Sequence, residues 1–153
     1  MHSEAFTSVE QLSYLLDDSD GVVTTLANAS AYLNELLRDI NWVGFYLLEQ
    51  GELRLGPFQG KAACTRILPG KGVCGAAIAQ NRTQRVADVH AFPGHIACDN
   101  ASNSELVVVL HNAAGEPVGV LDIDSPLLNR FSAEDERAME RAAEIISDKI
   151  RQK

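Results

Sequence analysis

Three cysteines are the first residues in this sequence whose type could do chemistry: Cys64, Cys74 and Cys98. Each lies in or beside a predicted loop, whereas structural cysteines are usually buried within strands or helices. Zinc signatures place cysteines two to four residues apart, and these are 10 and 24 apart, so a thiol redox pair is favoured over a metal site. Cys74 falls in the first turn of a predicted helix, which should lower its pKa.

Cys98 lies in the polar loop "PGHIACDNAS", where His90 and His95 could join it as metal ligands. The segment between them contains a proline and a glycine and lacks helical spacing, so we predict no metal. His95, three residues before Cys98, is the one nearby group that could influence this thiol. From the residues alone, the choice between Cys74 and Cys98 as the reactive thiol stays open.

A pair of acids ends the apolar strand "VGVLDIDS". Asp122 and Asp124 are two residues apart, so both carboxylates project from the same face of the strand. Glu105 opens the neighbouring strand "SELVVVL" and could join them. Because like charges oppose joint ionisation, one of these acids should hold its proton more tightly than a free aspartic acid. Two interpretations remain: a solvated strand end, or a protonated acid that works beside a thiolate.

The strand "WVGFYL" presents two kinds of side chain. Alternation along the strand places Trp42, Gly44 and Tyr46 on one face. The opposite face is purely apolar and carries Val43, Phe45 and Leu47. We expect the apolar face to pack against helices, and the face with two amphipathic aromatics and a glycine to suit a ligand pocket. Ordinary half-buried packing of Trp42 and Tyr46 is an equal alternative.

A glycine-rich stretch, "GKGVCG" at residues 70–75, matches the dinucleotide-binding pattern, and Asp88 follows at a suitable distance. That fold needs several parallel βαβ units, whereas the strands predicted here are joined as hairpins. We therefore predict no nucleotide cofactor. The glycines instead suit a tight turn into a helix whose N-terminal amides could receive an anionic group.

The elements that must position these residues can be placed from periodicity. Helices are predicted at 3–18 and 21–38, then a hairpin over 41–60 that turns at 49–51. Short strands are predicted at 64–68 and 83–89, with a helix at 72–81 stopped by Asn81. A second hairpin spans 104–125 and turns at 112–116. A final helix begins at Ser132, which forms a capping box with Asp135. This order predicts an α+β sandwich with helices on one sheet face and loops over the other.

Composition narrows the classes of partner. The 153 residues suit one domain, and a net charge of −8 disfavours both nucleic acid and anionic membrane surfaces. No basic-then-apolar start is present, and no apolar stretch approaches the ~18 residues of a membrane span, so we expect a cytoplasmic protein. Three cysteines, an odd number, do not suggest a disulfide framework.

Four segments together closely resemble the free methionine-(R)-sulfoxide reductases, which are small single-domain GAF proteins: "GPFQGKAACTRILPGKGVCG", "FPGHIACDNAS", "SELVV" and "GVLDIDSP". The likeness runs from about Asn41 to Ile150. Val109 stands on a strand where the family pattern leads us to expect proline, and this departure puts none of the chemistry in doubt. The resemblance implies one GAF domain over 1–153, with helices in 1–40, the sheet and active-site loops in 41–131, and a helix in 132–153.

The resemblance also implies a role for each candidate residue. Cys98 would be the nucleophile, Cys64 the resolving cysteine, and Cys74 an auxiliary or alternative resolver. The acids Glu105, Asp122 and Asp124 would bind the sulfoxide and protonate it. Trp42 and Tyr46 would line the pocket for the methyl–sulfur end of the substrate. No cofactor is implied.

The implied reaction starts with attack of the Cys98 thiolate on the sulfoxide sulfur while an acid protonates the oxygen. Methionine leaves, Cys98 becomes a sulfenic acid, and Cys64 condenses with it to form a disulfide. Thioredoxin would then restore the thiols by exchange. Two rival functions are a GAF sensor that binds a ligand without turnover and a thiol redox sensor without substrate. The sequence leaves the oligomeric state, monomer or homodimer, open.

Overall fold

A six-stranded antiparallel sheet forms the centre of the protein in a computed structural model that describes residues 8–94 and 101–151. The strand order is β3-β2-β1-β6-β5-β4. The strands are β1 (Trp42–Glu49), β2 (Glu52–Gly60), β3 (Arg66–Ile67), β4 (Gln84–Val86), β5 (Ser104–His111) and β6 (Pro117–Ser125). Every pairing is antiparallel, which excludes the parallel βαβ arrangement of a dinucleotide-binding fold from the described residues.

The described residues also form the helices α1 (Leu12–Leu15), α2 (Val22–Leu36), α3 (Gly72–Gln80) and α4 (Ala133–Ile150), and a 3₁₀ turn spans Val89–Ala91. Residues 8–10 are also helical, a turn lies at residue 11, and extended backbone at Leu16 ends this helical region earlier than predicted; residues 3–7 of the prediction lie outside the described residues. Helix α4 begins with the predicted capping box. In the described part of the chain, no helix has the length and apolar character needed to cross a bilayer.

Local sequence explains where the strands turn. The first hairpin turns at Gln50 and Gly51, whose φ angles of 54° and 81° match the left-handed turn that fits the twist of paired strands. In the second hairpin, the Asn112 side-chain oxygen accepts hydrogen bonds from the backbone of Ala114 and Glu116. Both hairpins therefore turn where the sequence predicted.

The two faces of the sheet have separate cores. One core joins Val43 and Phe45 of β1 to helices α1, α2 and α4, as the alternation predicted. The other contains Trp42 and Tyr46 of β1 together with valines of β5 and β6. Helix α3 packs on this second face, so the described part of that face is covered by a helix as well as by loops. That helix places Cys74 over the strands that carry the acids.

The glycine-rich stretch before α3 serves close packing. Gly70 and Gly72 have φ angles of 84° and 64°, and a Cβ on Gly75 would lie 2.6 Å from the Leu68 carbonyl oxygen. The Gly72 N–H donates to the Gly94 carbonyl oxygen at 2.9 Å. This amide is therefore occupied by the protein itself, and the glycines act as the predicted tight turn.

Candidate active site

Strand register brings the two predicted groups of site residues onto one face. Asp124 of β6 lies opposite Trp42 of β1 on one side and opposite Glu105 of β5 on the other. Asp122 lies two residues along β6, opposite Gly44 of β1. Because residues two apart share a face, both aspartates and Glu105 project toward the same side as Trp42. The sheet therefore assembles the acidic cluster that the sequence predicted as one of two alternatives.

Helix α3 adds a thiol to these acids. The Cys74 Sγ lies 3.9 Å from the Glu105 Oε2, and one donor atom from each of Cys74, Glu105 and Asp122 lies within 4.8 Å of the others. All three side chains are buried, with exposed fractions of 4%, 8% and 5%. Asp124, at the end of the row, is partly exposed. We call Cys74, Glu105 and Asp122 the acid–thiol cluster.

Burial controls protonation in the acid–thiol cluster. It raises the pKa of Glu105 well above its ordinary value, and the nearby charges of Asp122 and Asp124 raise it further. Burial also raises the pKa of Asp122, although hydrogen bonds with Glu105 and Cys74 act in the opposite direction. At least one of these acids is therefore a proton donor at a pH where a solvated acid would be ionised.

The prediction of an activated Cys74 is wrong. Burial raises the pKa of this thiol well above its ordinary value, and the charges of Asp122, Glu105 and Asp124 raise it further. A helix N-terminus stabilises a thiolate by only a modest amount, which complete burial beside three acids exceeds. Cys74 is consequently a protonated thiol in contact with Glu105.

The aromatic residues of β1 are fully packed. Trp42 stacks on Phe58 of β2 at a ring-centroid distance of 5.1 Å and on Tyr46 at 6.0 Å. Gly44 leaves no empty space, because a Cβ there would lie 2.2 Å from the Phe58 Cβ. The missing side chain at Gly44 therefore makes room for Phe58. Sequence alternation alone could not identify this third ring.

Hydrogen bonds from the same aromatics hold the segment that carries Cys64. The Trp42 Nε1 donates to the Lys61 carbonyl oxygen at 3.0 Å, and the Tyr46 hydroxyl donates to the Cys64 carbonyl oxygen at 2.9 Å. Cys64 is half-buried and disulfide-bonded, whereas Cys74 carries a free thiol. Strand β1 thus fixes the backbone of the predicted resolving cysteine.

Of the remaining candidate residues, His90 is described and lies outside this cluster. Cys98 and His95 lie outside the described residues. His90 is exposed, and its Nε2 lies 3.0 Å from the Asn103 Oδ1. Sequence reasoning missed that Cys74 belongs with the acids, since 31 residues separate it from Glu105. Gly72 and Gly75 could have indicated this contact, because small residues let a helix approach a sheet closely.

A separate cavity of about 650 Å³ lies at the far end of α3, lined in part by Asn81, Thr83 and His111. Its polar groups bond one another: the His111 Nε2 lies 2.6 Å from the Asn81 Oδ1, and the Thr83 hydroxyl donates to Glu140 at 2.6 Å. None of its lining residues is a cysteine. The acid–thiol cluster is the better candidate for the active site because its groups have strongly altered pKa values.

Comparison with known proteins places this geometry in a family. The model of the GAF domain matches residues 17–151. The free methionine-R-sulfoxide reductase of Escherichia coli is 57% identical over 125 residues, covering 82% of this chain and 75% of the relative. The chain belongs to the free methionine-R-sulfoxide reductase family of GAF domains. This finding confirms the family and the fold that the sequence predicted.

Solved structures agree with this GAF domain over nearly its whole length. The structure of fRMsr of Staphylococcus aureus in complex with substrate has a TM-score of 0.89 at 49% identity and covers 95% of each chain. The free methionine-R-sulfoxide reductase of Neisseria meningitidis in complex with its substrate has a TM-score of 0.93 at 40% identity. It covers 99% of this chain and 90% of its own.

Proposed function

We propose that this protein reduces free L-methionine-(R)-S-oxide to L-methionine, as part of the repair of oxidised methionine. The observation that carries the proposal is the buried acid–thiol cluster, in which Glu105 has a raised pKa, within a chain 57% identical to a free methionine-R-sulfoxide reductase. Membership of this family supports an oxidoreductase that acts on a sulfoxide. A cytoplasmic location is part of the same proposal.

The neutral acids supply what the first step needs. Attack of the Cys98 thiolate on the sulfoxide sulfur places negative charge on the oxygen, which leaves sulfur only after it receives a proton. Glu105 and Asp122 have raised pKa values, so a neutral carboxylic acid is available for that proton. The oxygen leaves as water while an S–S bond forms between Cys98 and the substrate. Water then attacks the Cys98 sulfur, the S–S bond breaks and methionine leaves with its electron pair, so the sulfoxide is reduced and Cys98 is oxidised to a sulfenic acid.

The second step closes a disulfide. Cys64 attacks the Cys98 sulfenic acid, the S–S bond forms and water leaves. Cys64 is disulfide-bonded and Cys74 is a free thiol, which supports Cys64 and Cys98 as the redox pair among the three cysteines. The burial of Cys74 argues against a resolving role for it. An external dithiol, thioredoxin, then reduces the disulfide by exchange.

The remaining site residues orient the substrate. Asp124 completes the row of acids beside Glu105, and its partial exposure suits it to bind the charged end of an amino acid. Trp42 and Tyr46 lie on the same face as the acids, so their stacked rings are the ones suited to the methyl–sulfur end, because sulfur packs favourably against aromatic rings.

The test is to incubate the protein with free methionine-(R)-sulfoxide and a dithiol and to assay methionine. We expect turnover, no single-turnover product from Cys98→Ser, and one turnover followed by a stall from Cys64→Ser. The (S)-sulfoxide is the control substrate. Substrate binding without methionine would instead indicate a GAF sensor, and disulfide formation without a substrate requirement would indicate a redox sensor. Full steady-state activity in Cys98→Ser would refute the mechanism.

A further inference from the structure

The acid–thiol cluster has the donor set and the spacing of a site for a transition-metal cation. Its sulfur and two carboxylates come from three separate elements, α3, β5 and β6, and converge within 4.8 Å. In a tetrahedral zinc site, metal–ligand lengths of about 2.3 Å to sulfur and 2.1 Å to oxygen place adjacent sulfur and oxygen ligands about 3.6 Å apart. The Cys74 Sγ and Glu105 Oε2 are 3.9 Å apart, so small side-chain adjustments suffice.

An unsatisfied oxygen points independently to a missing ligand. The Asp122 Oδ1 is buried and has no hydrogen-bond partner among the described residues. The residue as a whole is only 5% exposed. Leaving a buried acceptor unpaired is costly, and a bound cation would satisfy it. In the described part of the chain, the charged side chains that act on Cys74 are the acids Asp122, Glu105 and Asp124. The charges that act on this thiol therefore favour a cation over an anion.

We infer that the acid–thiol cluster binds one Zn²⁺ through Cys74, Glu105 and Asp122, and that the bound ion blocks substrate. A thiolate and two carboxylates fit zinc, which accepts sulfur and oxygen donors, and not Mg²⁺ or Ca²⁺, which take oxygen donors only. Asp124, on the same face of β6, or water takes the fourth position. The cysteine spacing could not predict such a site, because the three ligands are distant in sequence.

The competition with substrate rests on the proposed function. Glu105 and Asp122 are the acids that the sulfoxide would need, and a carboxylate bound to zinc cannot donate a proton to it. Zinc and sulfoxide therefore exclude each other. The binding of metal itself does not depend on the reductase assignment, so the two can be tested separately.

Metal binding is measured on reduced, chelator-treated protein titrated with Cd²⁺, which shares zinc's ligands and gives an ultraviolet thiolate-to-metal band. The double variant Cys64→Ser/Cys98→Ser retains only the Cys74 thiol, and we expect it to bind one Cd²⁺ with this band. Adding Cys74→Ser should abolish the band. Asp122→Asn should weaken affinity for Zn²⁺ at least about tenfold, because even outer-shell partners of metal ligands are worth 10–100-fold. Absence of the band in the double variant, or unchanged affinity in Asp122→Asn, would overturn the site.

Inhibition is the second measurement. Zn²⁺ should raise the KM for methionine sulfoxide without changing kcat, and a chelator should reverse the effect. Inhibition that does not weaken at high substrate concentration would refute the shared site. Metal binding by a protein that shows no reductase activity would uphold the zinc site and refute the proposed function instead.

Discussion

At the scale of single residues, the question is which acid donates the proton that the sulfoxide oxygen needs before it can leave. Glu105→Gln and Asp124→Asn keep the side-chain shape and remove the titrating group. We expect kcat/KM to fall by about 10²–10⁴ in each, the usual contribution of a general acid. Glu49→Gln, an exposed acid at the end of β1, is the matched control. Near wild-type turnover in both site variants would show that these acids only form the polar ends of their strands and take no part in the reaction.

The raised pKa of Glu105 also has a consequence for stability. The folded protein holds this proton more tightly than the unfolded chain, whose pKa is near 4.5, so the stabilising effect is complete below that pH and is lost as pH rises toward the folded pKa. Glu105→Gln stays neutral throughout. We therefore expect the variant to have a higher Tm than the wild type near pH 8, and the difference in Tm to shrink at about pH 4. Thermal unfolding across this range tests it, and a less stable variant at pH 8 would mean that Glu105 is ionised and well paired.

At the scale of elements, strand β1 positions the segment that carries Cys64. Tyr46→Phe keeps the stack with Trp42 but removes the hydrogen bond to the Cys64 carbonyl oxygen, worth about 1 kcal/mol. We expect disulfide formation after a single turnover to slow several-fold, with a smaller change in the methionine burst. Quenched-flow assays of methionine and free thiols separate the two steps. Tyr32→Phe, which loses a hydroxyl bond to the Ser8 carbonyl oxygen, is the control. Equal slowing of both steps would contradict a positioning role.

The elements also show which parts of the fold local sequence can predict. Both hairpins and the start of α4 were predictable, because Gly51, Asn112 and the Ser132–Asp135 capping box act within a few residues. The state of Cys74 was not, because its pKa depends on acids from two distant strands. The helix terminus lowers the pKa of Cys74 by less than burial beside these acids raises it.

At the scale of the whole molecule, one face of the sheet stabilises the fold and the other carries the residues proposed for chemistry. Helices α1, α2 and α4 cover one face with a continuous apolar core, and each fully buried large side chain there contributes roughly 1.5–3 kcal/mol. The free energy of folding supplied by this core offsets the destabilisation caused by the acids buried on the opposite face. Alternation along β1 predicted this division of faces, whereas the contact of α3 with the acids required the three-dimensional fold.

This division of the molecule also bears on substrate choice. The face proposed for chemistry gathers Glu105, Asp122 and Asp124, and among the described residues these acids are the charged groups that act on the Cys74 thiol. Such a site pairs with the α-ammonium group of a free amino acid, which a methionine within a polypeptide lacks. A site whose buried polar groups lose a required partner rejects the analogue by factors of about 10⁴. We therefore expect kcat/KM for N-acetylmethionine-(R)-sulfoxide to be lower than that for the free amino acid by about this factor. Oxidised proteins should be equally poor substrates. Comparable kcat/KM values for the free and acetylated substrates would mean that the acids do not bind the amino group.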